Sequence, residues 1–199
     1  MKILIVGGRG TIGKTVTKRL KEKHEVIIAG RNTGDINVDI TDINSIKALF
    51  EQAGKLDAIV STAGATKWAA FDSMNEDDFY IGIKSKLMGQ INLVRIGKDY
   101  LNKGGSITLT TGILADDPVE NTTNAAMVNG GIHSFVKAVS LEIKNDIRIN
   151  AVSPGLVEDS KDKFGAFFPG HIPVSMDKVA TAYVKSDEGK VRGQIIRVY

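Results

Sequence analysis

Short apolar runs alternate along the chain with longer stretches in which apolar residues recur every three or four positions. Lys2-Ile3-Leu4-Ile5-Val6 is a run of the first kind and predicts a strand buried on both faces. Between Thr11 and about Glu22, Ile12, Val16 and Leu20 fall four apart and predict an amphipathic helix. Further strands are predicted over 25–29, 36–40, 57–62, 106–111, 147–152 and 194–198. Thr41-Asp42 reads as a helix start, followed by an apolar face of Ile43, Ile46, Leu49 and Phe50. Longer helices are predicted over 76–101 and 122–144, and a short one over 176–184. Strands that alternate with helices call for right-handed crossovers and a parallel sheet covered on both faces. The expectation is an α/β, doubly wound fold with a seven-stranded parallel sheet, built as a single domain over 1–199. Such sheets bind ligands outside the carboxyl ends of their strands.

Composition narrows the function classes. The chain has 199 residues, 42% hydrophobic and 25% charged, which is globular composition and argues against disorder. It has no cysteine, which excludes disulfides, a thiol nucleophile and thiolate metal sites, and fits a reducing, cytoplasmic setting. No apolar run approaches the ~18 residues of a membrane span. Met1-Lys2 leads directly into strand sequence, so no signal peptide is expected. The net charge of +3 is scattered rather than gathered into a basic stripe with aromatics, so neither nucleic acid nor a membrane is an expected partner. The three histidines and the scattered carboxylates have no metal-ligand spacing, so no metal is expected.

The 21 glycines are either turn punctuation or part of a site. Val6-Gly7-Gly8-Arg9-Gly10-Thr11-Ile12-Gly13 answers for three of them, because Gly7, Gly10 and Gly13 follow a strand and open a helix. A side chain at those positions would block the tight turn, the pyrophosphate of a dinucleotide, or the packing of helix on strand. The pyrophosphate would rest on the helix start near Thr11. An acid usually ends the second strand and binds the adenosine ribose; here the sequence is Ala29-Gly30-Arg31-Asn32. Arg31, with Arg9 in the loop, suits a 2′-phosphate instead, so NADP(H) is expected over NAD(H).

Taken in order, these motifs resemble the short-chain dehydrogenase/reductase family along nearly the whole chain. The loop is similar to the family's Gly-x-x-Gly-x-x-Gly variant. Asp39-Ile40 resembles the Asp-Val pair at the adenine, and Ser61-Thr62-Ala63-Gly64 resembles the Asn-Asn-Ala-Gly segment after the fourth strand. Residues 147–155, Ile-Arg-Ile-Asn-Ala-Val-Ser-Pro-Gly, are the sharpest match, to a segment whose Pro-Gly turn lies beside the nicotinamide. The resemblance implies a Rossmann fold that holds NADP(H) along Gly7, Arg9, Gly10, Thr11, Ile12, Gly13, Arg31, Asp39, Ile40, Ala63, Gly64, Pro154 and Gly155. It also implies a small carbonyl or alcohol substrate, and a homo-oligomer, dimer or tetramer, built on the two long helices. Ile91, Val94, Phe135 and Val139 are candidates for that contact.

The resemblance fails at the family's catalytic Ser, Tyr-x-x-x-Lys and Asn. Ala125 falls at the tyrosine position, Asn129 at the lysine position and Lys86 at the Asn position; the serine position falls at Thr111 or Thr110. Thr111, Lys86 and Asn129 are therefore the candidate catalytic residues, in an atypical centre without the usual proton donor. Tyr80-Ile81-Gly82-Ile83-Lys84 repeats the spacing of the missing pair but lies on the wrong helix. His171, in the segment after Pro154-Gly155, is the best-placed substitute acid. His133 is expected to pack rather than react, and His24 to lie at the surface. Phe164, Phe167 and Phe168, within a short lid near 156–175, and Trp68 are candidate walls of an apolar pocket. Two alternatives stand beside the oxidoreductase: a catalytically impaired NADP(H)-binding sensor or regulatory protein, and a structural subunit that pairs with an active relative.

Overall fold

The computed structural model describes residues Met1–Tyr199. Its elements run β1 (Lys2–Val6), α1 (Thr11–Lys21), β2 (Glu25–Gly30), β3 (Ile36–Asn37), α2 (Ile43–Ala53), β4 (Leu56–Ser61), α3 (Glu76–Gly82), α4 (Gly89–Gly97), β5 (Leu101–Thr110), α5 (Thr123–Glu142), β6 (Arg148–Pro154), α6 (Lys161–Phe164), α7 (Met176–Glu188) and β7 (Ile195–Val198). All seven strands are parallel, in the order β3-β2-β1-β4-β5-β6-β7. The chain moves outward from β1 to β3, then returns to lay β4 on the other side of β1. Beyond the carboxyl ends of β1 and β4, the crossovers diverge and leave a crevice.

The strands are apolar throughout because both faces are covered. Leu4 and Val6 pack with Phe50, Leu93 and Ile132 under α2, α4 and α5. Ile3 and Ile5 alternate to the other face and pack with Val16, Leu20, Val179 and Tyr183 of α1 and α7. Each fully buried aliphatic of this kind contributes roughly 1.5–3 kcal/mol of burial free energy. Asp42 caps α2 by accepting from Asn44 N, and Asn75 with Asp78 forms a capping box at α3.

Four local expectations need correction. The third strand is only Ile36–Asn37: Val38 and Ile40 are buried, but the chain has already turned toward α2. The helix expected over 76–101 stops at Gly97 and contains a π-helical segment, Ile83–Met88, between α3 and α4. β5 begins early, at Leu101, which pairs with Leu56 before a register shift. Val94 is buried in the core of its own chain, so it is not free to meet a partner.

A buried polar network ties α7 to the sheet. Thr108 Oγ1 and Ser106 Oγ donate to Asp187 Oδ1 at 2.7 and 3.3 Å. Arg148 donates to the carbonyls of Ser186 and Asp187, closing the carboxyl end of the helix. Asp187 Oδ2 has no partner, and burial pushes the carboxyl up to about 7.

Candidate functional site

The loop from Gly7 to Gly13 closes on itself. Gly7 has a φ of +85°, and a Cβ there would stand 2.9 Å from Ala63 N, where β1 and β4 part. A Cβ on Gly13 would come within 2.1 Å of Gly7 O, so α1 can approach the loop only through a glycine. Gly10 precedes the first turn of α1; no side chain caps that turn and no acid lies in it. The helix start therefore presents free N–H groups and the positive end of its dipole to the crevice, the physical requirement of a phosphate seat.

Beside the loop lies a cavity of about 250 Å³, lined by Gly7, Gly30, Arg31, Val38, Ile40, Ala63 and Gly64. Its apolar floor and open rim suit an adenosine. The Arg31 guanidinium is exposed, with Nη2 3.4 Å from Asp39 Oδ1. Thr41 donates to the same oxygen through its backbone N–H at 2.9 Å and its hydroxyl at 2.8 Å. Those bonds, with the Arg31 charge, hold Asp39 below the usual carboxylate range. Asp39 is thus occupied in ordering the loop, and Arg31 is the cation at the cavity's edge. Arg9 is exposed at the start of α1.

The second cleft, of about 270 Å³, lies beyond the ends of β5 and β6 and brings the catalytic candidates together. Lys86, Thr111, Ala125 and Asn129 line it, with Ile12 and Pro154-Gly155 on the side toward the glycine loop. Asn129 Oδ1 is buried with no partner, an acceptor left unsatisfied at the cleft. The loop, the uncapped helix, the adenosine-sized cavity and this orphan oxygen fit a dinucleotide laid from Arg31 to Asn129. A larger cavity of about 400 Å³, lined by Lys98, Val139, Glu142 and Ile147 among others, sits where β6 begins and holds none of these groups.

One helix positions two of the candidates. The π-helical segment carries Ser85, whose Oγ accepts from Ala65 N at 3.0 Å and so clasps the loop after β4. Lys86 follows, its stem pressed on Gly64, where a Cβ would stand 2.9 Å from Lys86 Cγ. The ammonium has no carboxylate partner, and loss of water in the cleft pushes it down to about 8. Four residues on, buried Gln90 donates to Thr110 O and accepts from Thr110 N, both at 2.9 Å. This double bond pins the end of β5. Thr110 turns toward Tyr183 and the carbonyl of Ser61, whereas Thr111 faces the cleft.

His133, expected to pack, does not line the cleft, but its Nε2 lies 2.9 Å from Oγ1 of Thr111, which does, and both residues are buried. His171 does not reach the candidates. It stands 3.5 Å from Asp117, edge-on to Phe168, in a separate cavity. His24 is largely covered, with Nε2 3.2 Å from Glu188. Tyr80 of α3 and Lys84 of the π-helical segment pair at 5.4 Å, both exposed and neither lining the cleft. Trp68 gathers Phe164, Phe167 and Phe168 at ring distances of 4.7, 5.8 and 6.4 Å. Trp68, Phe164 and Phe168 line the cleft, and Phe167 is partly exposed. Gln90 and Asn124 carry no sequence motif. Asn124 braces α5 by accepting from Lys67 N and donating to Phe79 O.

A nucleotide loop on a parallel sheet of this order, with its second cleft beyond β5 and β6, defines a dinucleotide-dependent oxidoreductase. The family model described as Enoyl-(Acyl carrier protein) reductase matches residues 10–172, and the chain belongs to the short-chain dehydrogenase/reductase family. A protein described as lin1944 from Listeria innocua has 48% identity and a TM-score of 0.99, each chain covered in full. A small-chain dehydrogenase solved in complex with NADPH has 30% identity and a TM-score of 0.89, over 100% of this chain and 96% of that one. The 3-oxoacyl-[acyl-carrier-protein] reductase FabG of Thermotoga maritima is 28% identical over 181 residues, covering 78% of this chain and 73% of its own. No helix is long and apolar enough to cross a membrane.

Proposed function

We propose that the chain is an NADP(H)-dependent reductase of a small carbonyl compound, working through a centre made of Lys86, Thr111 and Asn129. The observation that carries this reading is their convergence in one cleft beside Pro154-Gly155, at the far end of an intact nucleotide loop. The NADPH in a 30%-identical neighbour supports the choice of cofactor, as does Arg31 at the rim of the adenosine cavity. The names of the curated relatives make a 3-oxoacyl thioester a reasonable first substrate to try. The absence of cysteine fits a cytoplasmic enzyme. The chain is read as one domain over 1–199, in which residues near 156–175 act as a short lid, with Phe164 and Phe168 closing over the substrate against Trp68.

When bound, NADPH supplies hydride to the carbonyl carbon. The chain's own residues prepare the other end of that bond. The Thr111 hydroxyl donates a hydrogen bond to the carbonyl oxygen, and the Lys86 ammonium faces the charge that develops there. Asn129 orients the nicotinamide ribose through its unpaired Oδ1, which accepts a hydrogen bond from a ribose hydroxyl. The aromatic wall excludes water and strengthens both interactions.

The test is NADPH oxidation against a panel of aldehydes, ketones, 3-oxoacyl thioesters and quinones, with cofactor affinities measured alongside. Turnover with at least one carbonyl, and tighter binding of NADPH than of NADH, are expected. Tight binding without turnover across the panel would overturn the reductase reading.

A further inference from the structure

The loss of the family tyrosine leaves its proton-donor position empty, because Ala125 stands in its place and carries no proton. Two buried groups, one lining the cleft and one behind it, remain unexplained by packing alone. One is Thr111, which lines the cleft and whose hydroxyl also lies 3.4 Å from Val152 O; the other is His133, two turns of α5 beyond Ala125 and hydrogen-bonded to that hydroxyl at 2.9 Å. Thr111 is fixed from the other side as well, since its backbone N–H donates to Val152 O at 2.9 Å. A threonine hydroxyl is too weak an acid to end a carbonyl reduction by itself. A hydroxyl that can be refilled from an imidazole behind it is not so limited.

We propose that His133 and Thr111 form a proton relay that replaces the missing tyrosine. The inference rests on the reductase reading above and deepens it. As hydride reaches the carbonyl carbon, the C=O π pair moves to oxygen, and that oxygen takes the proton of Thr111 Oγ1. Thr111 Oγ1 takes the Nε2 proton of the His133 imidazolium in the same event. The imidazolium becomes a neutral imidazole that keeps its Nδ1 proton, and it is recharged when product leaves and water enters the cleft. Two electrons arrive with the hydride and one proton arrives through the relay, so carbonyl, dihydronicotinamide and imidazolium become alcohol, oxidised nicotinamide cation and neutral imidazole.

The charges around His133 suit a donor. Burial lowers its pKa below the ordinary 6.5, as do Arg197 of β7 and Lys137 of its own helix. Asp116, in the turn after β5, opposes them and keeps the cation accessible. Asp116 is itself held near 2 by Arg197, which donates at 2.9 and 3.1 Å, and by the Tyr199 hydroxyl at 2.7 Å. The carboxylate therefore stays charged across the working range while His133 titrates. Lys86 titrates near 8, well clear of the histidine.

The experiment compares the unaltered chain with His133→Gln and His133→Ala over pH 5 to 9. The carbonyl substrate is whichever one the panel identifies. In the unaltered chain, kcat falls as pH rises through the histidine's titration. In His133→Gln, which keeps a donor near Thr111 but cannot lose an acidic proton, kcat drops about 10²-fold and that limb vanishes. The limb near 8 persists, and NADPH affinity stays within about threefold, which reports an intact fold. Added imidazole restores activity to His133→Ala. A readout without cofactor accompanies this: ¹⁵N NMR of the imidazole, whose titration moves by about half a pH unit or more in Thr111→Val. An unaltered pH profile in His133→Gln, or a ring titration indifferent to Thr111→Val, would overturn the relay. Either result leaves the reductase reading standing if the unaltered chain turns over.

Discussion

Replacing Asp187 by Asn isolates the cost of one buried acid. The carboxyl is 1% exposed, accepts from Thr108 and Ser106 through one oxygen, and has nothing at the other. Its pKa rises from 3.8 to about 7 because burial penalises the anion more than the two hydroxyls favour it. The unfolded chain therefore ionises this group about three pH units before the folded chain does. Between pH 4 and 7 the folded state holds the extra proton, so stability falls as pH rises, and above 7 the full cost applies. At about 1.36 kcal/mol per unit, that cost is on the order of 4 kcal/mol. Asn keeps the shape and the acceptor but has no charge to bury. Asp187→Asn is thus expected to be near neutral at pH 4 and stabilising by several kcal/mol at pH 8. Urea unfolding at both values measures it, with m unchanged. A variant that is equally or less stable than the parent at pH 8, or a difference independent of pH, would refute the reasoning.

Other outcomes follow from the same geometry. Arg31→Ala should weaken NADPH about tenfold and leave NADH unchanged in fluorescence titrations, because only the phosphorylated ribose needs the guanidinium. Gly13→Ala should abolish cofactor binding or folding, since the new Cβ meets Gly7 O at 2.1 Å; circular dichroism with an NADPH titration separates the two. Lys86→Met should remove the rate limb near pH 8, as the ammonium that loses its charge there is gone, whereas Lys86→Arg should extend activity to higher pH. Gln90→Leu should cost roughly 2–3 kcal/mol in urea unfolding, because it leaves both Thr110 backbone groups buried without partners.

The sheet and the nucleotide loop were readable because their signals are local. An apolar run as dense as Ile3 to Val6 has one structural use in an α/β chain, and glycines at 7, 10 and 13 state a steric requirement in their own positions. Counting along helices also brought Lys86, Thr111, Ala125 and Asn129 to one cleft, since the fold was known once the motifs were recognised. What escaped was non-local. His133 meets Thr111 across 22 positions only because the end of β5 abuts the middle of α5. His171 looked better placed, because it lies after the Pro-Gly turn, yet that segment carries it toward Asp117 instead. Gln90 has no periodic signature, being a polar residue on a buried face that is satisfied by strand backbone alone. The short β3 reflects an edge position, where burial of Val38 and Ile40 does not require ladder pairing.

The π-helical segment at 83–88 has a further consequence. A π turn holds one residue more than an α turn, so it advances the angular phase of everything after it by about 100° relative to everything before it. Ser85 and Lys86 lie within that segment, gripping the loop after β4 and lining the cleft; Gln90 lies just beyond it, gripping β5. On a strictly α-helical path Ser85 and Gln90, five residues apart, would point about 140° from one another, whereas a π turn brings residues five apart toward one face. Winding the same residues as an ordinary α-helix would therefore break either the clasp on the loop after β4 or the pin on β5, although neither Ser85 nor Gln90 changes.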